Sequence, residues 1–237
     1  MDHEYWDLIA GLGRVEADCP YLPDRTARYA YLDGMRVGMH YGALMDQGYR
    51  RSGRLVYRME CESCAECQII RIPVAHFQRS RSQERVWRKG QSLFRHALVD
   101  PDCTTEKIEL YSRYLDYQHQ RSETPHPLDY ESFLVHTCLD STRELQLFHE
   151  GRLMGLGILD FFADRMSSVY FFFDPDYRSF SPGTYSFLLE LELARTMGLA
   201  FHYAGFYIAD CRRMNYKKNF APNQIKKAND SWERGSV

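Results

Sequence analysis

Between Arg143 and Ile208 the apolar residues change their period, and that change limits the fold more than any other feature. "RELQLFH" and "RLMGLGILDFF" have the length and apolar content of strands, and Glu150-Gly151 between them is a hairpin signal. "MSSVYFFFDP" is a third strand, stopped at Asp174-Pro175. "TYSFLLELELARTMG", residues 184–198, shifts to helical spacing and ends on Gly198. "FHYAGFYI", residues 201–208, returns to a strand. Antiparallel strands that feed one helix and one further strand place the chain in the α+β class.

The first hundred residues differ in character. "RLVYRM" and "QIIRIPVAHF" read as strands, with Cys61, Cys64 and Cys67 of "CESCAEC" in or beside the turn between them. "SRSQERVWRK", residues 80–89, opens a helix with a serine cap. Residues 104–120 form an amphipathic helix: Thr104 or Thr105 caps it, and Ile108, Tyr111 and Leu115 keep helical spacing. "DYESFLVHTC", residues 129–138, is a shorter helix. With no internal repeat and no low-complexity linker, the change of character sets the expected division: a cysteine-containing N-terminal domain, 1–100, and a C-terminal domain, 101–237.

Composition sets the outer bounds. A chain of 237 residues with 44% hydrophobic content can bury a large core, and 14% aromatic content argues against disorder. No apolar run approaches the ~20 residues of a spanning helix, so no membrane partner is expected. The N-terminus, "MDHEYWDLIAGLGRVEADCP", is acidic and lacks the pattern of an export signal. Seven cysteines, an odd number, then fit free thiols in a reducing cytoplasm. Net charge is only −2, but residues 50–89 hold ten Lys and Arg against four Glu, and Arg212, Arg213, Lys217 and Lys218 form a second basic group. Two focused basic runs on a near-neutral chain fit local contact with a polyanion.

Several blocks resemble one family in the same order. "CPYLPDRTARY", "GYRRSGRLVYR", "IIRIPVAHF" and "SRSQERV" resemble the N-terminal half of the aminoacyl-tRNA–protein transferases. "LMGLGILDFFADRMSSVYFFFDPDYRSFSPGTYSFLLELELAR" and "YAGFYIADCRRMNYKKNFAP" resemble their C-terminal half, so the likeness spans residues 19–222. The compact length is similar to the bacterial branch, the aspartate/glutamate leucyltransferases; the eukaryotic arginyltransferases share the blocks but are longer. Two departures stand out: Pro182 in "SPGT", where many relatives have Leu, and Asp24 in "YLPDR", where Gly is common. The resemblance implies a GNAT-like acyltransferase domain with a mixed, mostly antiparallel sheet. It also implies transfer of an aminoacyl group, Leu or else Arg, from aminoacyl-tRNA to proteins with an N-terminal Asp or Glu. Such products enter the N-degron pathway.

That reaction sets four tasks. Holding tRNA takes cations and aromatic faces; Arg79, Arg81, Arg85, Arg88 and Lys89 with Trp87, and then Arg213 and Lys217, are the candidates. Holding an acidic side chain favours Arg, whose fork matches a carboxylate: Arg25, Arg28, Arg50 and Arg51. Taking a proton from the α-amine falls to Asp160, which ends an apolar strand, with His149 and Asp174 behind it. Backbone N–H groups near the strand-to-helix junction can hold an oxyanion. Tyr170 is the candidate proton donor to the leaving oxygen, and Tyr207 and Gly205 border the same cleft.

The cysteines admit three readings. C-x2-C-x2-C lacks a fourth local ligand for zinc, but Cys19-Pro20 is the one other cysteine in this half. The resemblance raises a structural zinc or an iron–sulfur cluster on Cys19, Cys61, Cys64 and Cys67; a thiol-lined turn is the other option. The chemistry itself requires no cofactor. Two rival functions use the same features: an acyltransferase with a small acyl carrier, and a metal-dependent nucleic-acid-binding protein without catalysis. "SFSPGTYS" holds one glycine, too few for the pyrophosphate loop an acyl carrier needs.

Overall fold

The computed structural model describes residues 11–227 and 231–235. Asp2, Glu4 and Asp7, and half of the segment read as lacking an export signal, lie outside the described residues. Two sheets organise the rest. β1 (Gly13–Asp18), β2 (Thr26–Asp33), β3 (Arg50–Ser52) and β4 (Leu55–Met59) make an antiparallel sheet in the order β1-β2-β4-β3. Between β2 and β3, helix α1 (Tyr41–Asp46) buries Tyr41, Leu44 and Met45.

The larger sheet contains β5 (Gln68–Pro73), β6 (Arg95–Val99), β7 (Thr142–His149), β8 (Arg152–Phe162), β9 (Arg165–Phe173), β10 (Phe201–Tyr207), β11 (Gln224–Lys226) and β12 (Trp232–Arg234). Their order is β12-β11-β5-β10-β9-β8-β7-β6. Every pair is antiparallel except β9 with β10. A parallel pair needs a crossover, and helix α5 (Pro182–Thr196) supplies it. The sequence pattern of three strands, a helix and a strand is therefore β7, β8, β9, α5 and β10.

Helices cover both faces of this sheet, which explains the near-continuous apolar run of β8. Leu156 and Ile158 cluster with Leu110, Tyr111 and Leu115 of α3 (Thr105–His119). Met154 and Leu159 cluster instead with Tyr185 and Leu189 of α5. α2 (Arg81–Leu93) packs beside α5 and starts where the sequence indicates, with Ser80 and Gln83 forming a capping box. Thr104 caps α3 through the Lys107 N–H.

Three expectations change. Residues 129–138 are not one helix: α4 (Pro127–Tyr130) begins earlier, at a His126 cap with Pro127 first, and passes into a π-turn at Glu131–Val135. The strand read through "QIIRIPVAHF" stops at Pro73, where a 3-10 turn begins. The division at residue 100 does not follow the sheets, because β5 and β6 pair with β10, β11 and β7 of the larger sheet. Only residues up to Met59 build the smaller one.

Gly90 marks a tight contact between α2 and α5. A methyl group there would lie 2.1 Å from Cδ2 of Tyr185. That ring cannot retreat freely, since its hydroxyl accepts from Gln91 Nε2 at 3.0 Å and Trp87 packs against it. Gly90→Ala should gain up to ~1 kcal/mol of helix propensity and lose about 1–3 kcal/mol to overpacking. The expected net result is a lower urea midpoint; a raised midpoint would show that Tyr185 has room to move.

Candidate active-site cleft

The parallel pairing of β9 with β10 is short: Phe201, His202 and Tyr203 face Arg165, Met166 and Ser167, and it ends there. A bulge between Tyr203 and Gly205 shifts β10 against β5 at the same level, and Gly205 takes φ +86°, a conformation suited to glycine. Beyond this point β9 and β10 both continue, to Phe173 and Tyr207, without pairing to each other. The gap between them is a cleft of about 550 Å³, within the range of ligand-sized sites. Tyr114, Phe133, Tyr170, Phe171 and Phe173 give it an aromatic wall.

β3 of the small sheet reaches this cleft with two adjacent arginines that do different things. Arg51 turns away from the opening onto Asp160 of β8, donating Nε to Oδ2 and Nη2 to Oδ1, each at 2.7 Å. Tyr41 donates to Oδ2 at 2.8 Å and Thr142 to Oδ1 at 2.7 Å, so each oxygen accepts two bonds. Both charged side chains are fully buried. Burial first, and then the Asp160 carboxylate, hold the Tyr41 phenol well above its ordinary range, so it stays a donor. A carboxylate enclosed in this way is an anchor for Arg51, and it does not line the cleft. Asp160, expected as a proton acceptor, and Arg51, expected to hold an acidic side chain, are instead engaged with each other.

Arg50 points the other way, as the strand's alternation requires. It is 6% exposed and donates Nη1 to Ser167 Oγ at 2.7 Å and Nη2 to the Ser168 carbonyl. Gly205 lies against its guanidinium, where a Cβ would come within 3.2 Å of Nη2. Among the described residues no carboxylate pairs with Arg50. It lines the cleft, as do Arg213 and Lys217.

Lys217 is not a surface cation: it is 8% exposed, with Nζ 2.8 Å from the Phe206 carbonyl. Burial, followed by the charge of Arg50, lowers its pKa to about 7. Arg213 is exposed at the rim and donates to the Pro20 carbonyl at 2.9 Å. The cations of α2 stand apart from the cleft. Arg81, Arg85, Arg88 and Lys89 are exposed, Arg88 pairing with Glu84. Arg79 is tied to Glu192 at 2.7 Å and stacks on Trp87.

The tyrosines divide. Tyr170 lines the cleft, packed edge-on against Phe133 at 5.1 Å, but burial pushes its pKa upward, which weakens it as a proton donor. Tyr207 is not among the cleft's lining residues; it packs against the cluster of Ile70, Ile72 and Phe187. Asp174 caps the turn after β9 and pairs with Arg113 and Arg152, while His149 meets the Tyr177 hydroxyl. One carboxylate that the sequence reading passed over does line the cleft. Glu190 of α5 accepts from Ser186 at 3.1 Å and from His202 Nε2 at 2.8 Å, so both oxygens are engaged. Its signal was the first of the two acids in the otherwise apolar "FLLELEL".

Arg25 lies at a second hollow, of about 290 Å³, lined also by Cys19, Cys61, Cys64 and Cys67, with Arg28 bonded to one of those cysteines. Arg25 donates to Cys64 Sγ at 3.2 Å, the Arg28 N–H to Cys61 at 3.4 Å and the Leu22 N–H to Cys19 at 3.4 Å. Arg28 also pairs with Glu62. Neither arginine lines the cleft, so they do not share a site with Arg50. Burial, then the neighbouring thiols Cys19, Cys61 and Cys64, push the Cys67 thiol up to about 12. Among the described residues no three Cys, His, Asp or Glu side chains stand at ion-holding spacing.

Known proteins place this arrangement. Residues 17–85 match the family model "Arginine-tRNA-protein transferase, N terminus" and residues 106–227 match "Arginine-tRNA-protein transferase, C terminus". The aspartate/glutamate leucyltransferase of Acinetobacter baumannii (strain ATCC 17978) is 37% identical over 88% of this chain and 78% of its own length. That of Hahella chejuensis is 35% identical over 92% and 93%. Among solved structures FemX superposes with a TM-score of 0.52 at 9% identity, covering 93% of this chain and 88% of its own, a likeness of fold. The architecture is GNAT-like, and no helix among the described residues is long and apolar enough to cross a membrane.

Asp160→Asn tests the anchor. The change leaves Arg51 buried without its counter-charge, so it should cost about 3–5 kcal/mol of stability. Activity per folded molecule should change far less than the roughly 10²–10⁴-fold that loss of a proton acceptor costs. Denaturant melts paired with rates normalised to folded protein decide; a stable variant with a collapsed rate would restore Asp160 as the base.

Proposed function

Because this chain belongs to the arginine-tRNA-protein transferase family, we propose that it moves a leucyl group from Leu-tRNA to the α-amine of proteins beginning with Asp or Glu, marking them for the N-degron pathway. The observation that carries this reading is Arg50: a buried cation beside an aromatic wall, with no carboxylate of its own among the described residues. The acceptor's acidic side chain supplies that carboxylate. The aromatic wall of Tyr114, Phe133, Tyr170, Phe171 and Phe173 takes the leucyl side chain. An arginyl donor fits less well, because Arg50, Arg213 and Lys217 share the cleft with one carboxylate, Glu190, whose oxygens are already used.

The attacking amine forms the new C–N bond as the ester bond to the tRNA ribose breaks. The N–H groups of β9 freed from pairing beyond Ser167 are the donors available for the tetrahedral oxyanion. Arg213 at the rim, with the exposed Arg212 and Lys218 close to it in the chain, would meet phosphates of the acceptor end; the cations of α2 form a separate patch for the body of the tRNA. A reaction that consumes charged tRNA belongs in the cytoplasm.

The cysteine hollow is a separate matter. Four soft donors face it, and three of the sulfurs accept N–H bonds. Among the described residues no three of them stand at ion-holding spacing, so a zinc ion or an iron–sulfur cluster would have to draw Cys19, Cys61, Cys64 and Cys67 together; so held, it would tie the β1–β2 turn to the segment between β4 and β5 and take no part in acyl transfer. Anaerobically purified protein should contain about one zinc or four iron per chain. Cys64→Ser should lower that content and the melting temperature together, with Cys103→Ser changing neither. Metal-free protein of unchanged stability would leave a thiol-lined turn.

The function is tested by mixing the protein with Leu-tRNA or Arg-tRNA and peptides beginning with Asp, Glu or Ala, and weighing the products. Leucylated Asp and Glu peptides are expected. Arg50→Met leaves no stranded counter-ion, so the protein should fold; KM for acidic peptides should rise about 10–100-fold, the value of a charged hydrogen-bonded contact. KM for Leu-tRNA should stay near wild type. Loss of discrimination against Ala without a rise in KM for Asp would place the acidic side chain elsewhere.

A further inference from the structure

Lys217 has no established task in a surface contact, and its surroundings are unusual for a lysine. It sits in the 3-10 turn Tyr216–Asn219 that follows α6 (Arg212–Asn215), with its amine directed inward to the cleft. Its one hydrogen-bond partner among the described residues is the Phe206 carbonyl, next to the bulge glycine Gly205. No described carboxylate pairs with it. The titratable and charged groups around it come from several elements. Arg50 reaches in from β3, Cys211 caps α6, Tyr216 precedes it, and Arg213 stands at the rim. Glu190 of α5 and His119 of α3 also line the cleft, Glu190 with both oxygens occupied.

An ammonium group here would lie buried beside a second cation, so its pKa falls to about 7 and a large share of the amine is neutral near pH 7. A neutral lysine that donates one N–H to a carbonyl keeps its lone pair free. The carboxylate expected to take the proton, Asp160, is enclosed on the far side of Arg51. The cleft still needs a group that accepts one.

Building on the transferase reading, we propose that Lys217 is the general base of aminoacyl transfer, taking the proton from the acceptor's α-amine as that nitrogen attacks the ester carbonyl. The C–N bond forms and the nitrogen's proton passes to Nζ, giving an ammonium. The tetrahedral centre then collapses with cleavage of the ester C–O bond, and the same proton passes from Nζ to the departing ribose oxygen. Lys217 returns to its neutral form, and no oxidant or further reactant is consumed.

The sign of the pH dependence follows. The active form is unprotonated, so kcat/KM, which reports the free enzyme, should rise as pH increases through about 7. The acceptor's own amine, ordinarily near 7.7–8, can produce a similar limb. An acceptor peptide carrying an aminooxy group in place of the α-amine separates the two, since that group is already unprotonated across the range. His119 titrates lower, held below the ordinary histidine range by burial and then by Arg213.

Lys217→Arg and Lys217→Met in the full chain complete the test, with kcat, both KM values and melting temperature measured. Both variants should lose roughly 10²–10⁴-fold in kcat, with KM for Leu-tRNA and peptide within about threefold of wild type. The limb near 7 should persist with the aminooxy acceptor. Lys217→Arg that keeps a tenth or more of wild-type kcat overturns the assignment, because a permanent cation cannot take the proton. So does a limb that disappears with the aminooxy acceptor, a reading on wild-type protein that stands even where a variant fails to fold. A wild-type chain that transfers no aminoacyl group from any charged tRNA fails differently: it overturns the transferase reading and this assignment together.

Discussion

The Arg51–Asp160 pair is the joint on which the molecule's two sheets turn. Arg51 belongs to β3 of the small sheet and Asp160 to β8 of the large one. Buried ion pairs are poor sources of net stability, because removing two charges from water costs about as much as their attraction returns. What this pair supplies is geometry. Two parallel bonds, with Tyr41 and Thr142 completing the carboxylate, fix the position and rotation of β3 against β8. The neighbouring residue is fixed by the same act. With Arg51 locked on β8, alternation directs Arg50 to β9, where Ser167 and Ser168 hold it at the mouth of the cleft.

The cleft depends on one more local departure. Had β10 stayed in register with β9, the two would have closed into a continuous ladder. The bulge at Gly205 stops this, and the positive φ there would strain any other residue. The absence of a side chain also leaves room for the guanidinium of Arg50. Gly205 seats the cation that faces the opening, and a second bulge, at Val169 of β9 against β8, lies where the two strands part. Departures from regular pairing are found where a fold is put to use.

Much of this was legible in the sequence, and the limits have physical causes. The segment from β7 to β10 was readable because its apolar period switches cleanly, and the Ser80 cap because capping is local chemistry. β1 was missed because "GRVEAD" is exposed along its length and shows no alternation. Cys19 could be grouped with the distant cysteines, and it does line their hollow. Arg50 and Arg51 could not be told apart, since which face of a three-residue strand meets a cleft is a tertiary fact. Asp160 posed the right alternative, paired or used, and only the fold places four donors around it. Lys217 looked like its neighbours Arg213 and Lys218, which are exposed; the turn after α6 directs it inward.

These placements give the cleft an electrostatic order of events. Empty, it holds Arg50 and Lys217 close enough that the first disfavours a proton on the second. A neutral acceptor side chain leaves that balance unchanged and leaves Arg50 without a carboxylate. An acidic side chain neutralises Arg50, and with that charge offset the proton affinity of Lys217 rises. The increase comes when the acceptor is seated and its amine must give up a proton. Recognition of the acid and activation of the amine are then one interaction, transmitted across a single cleft by the charge of Arg50, and discrimination against neutral N-termini extends from binding into the rate itself.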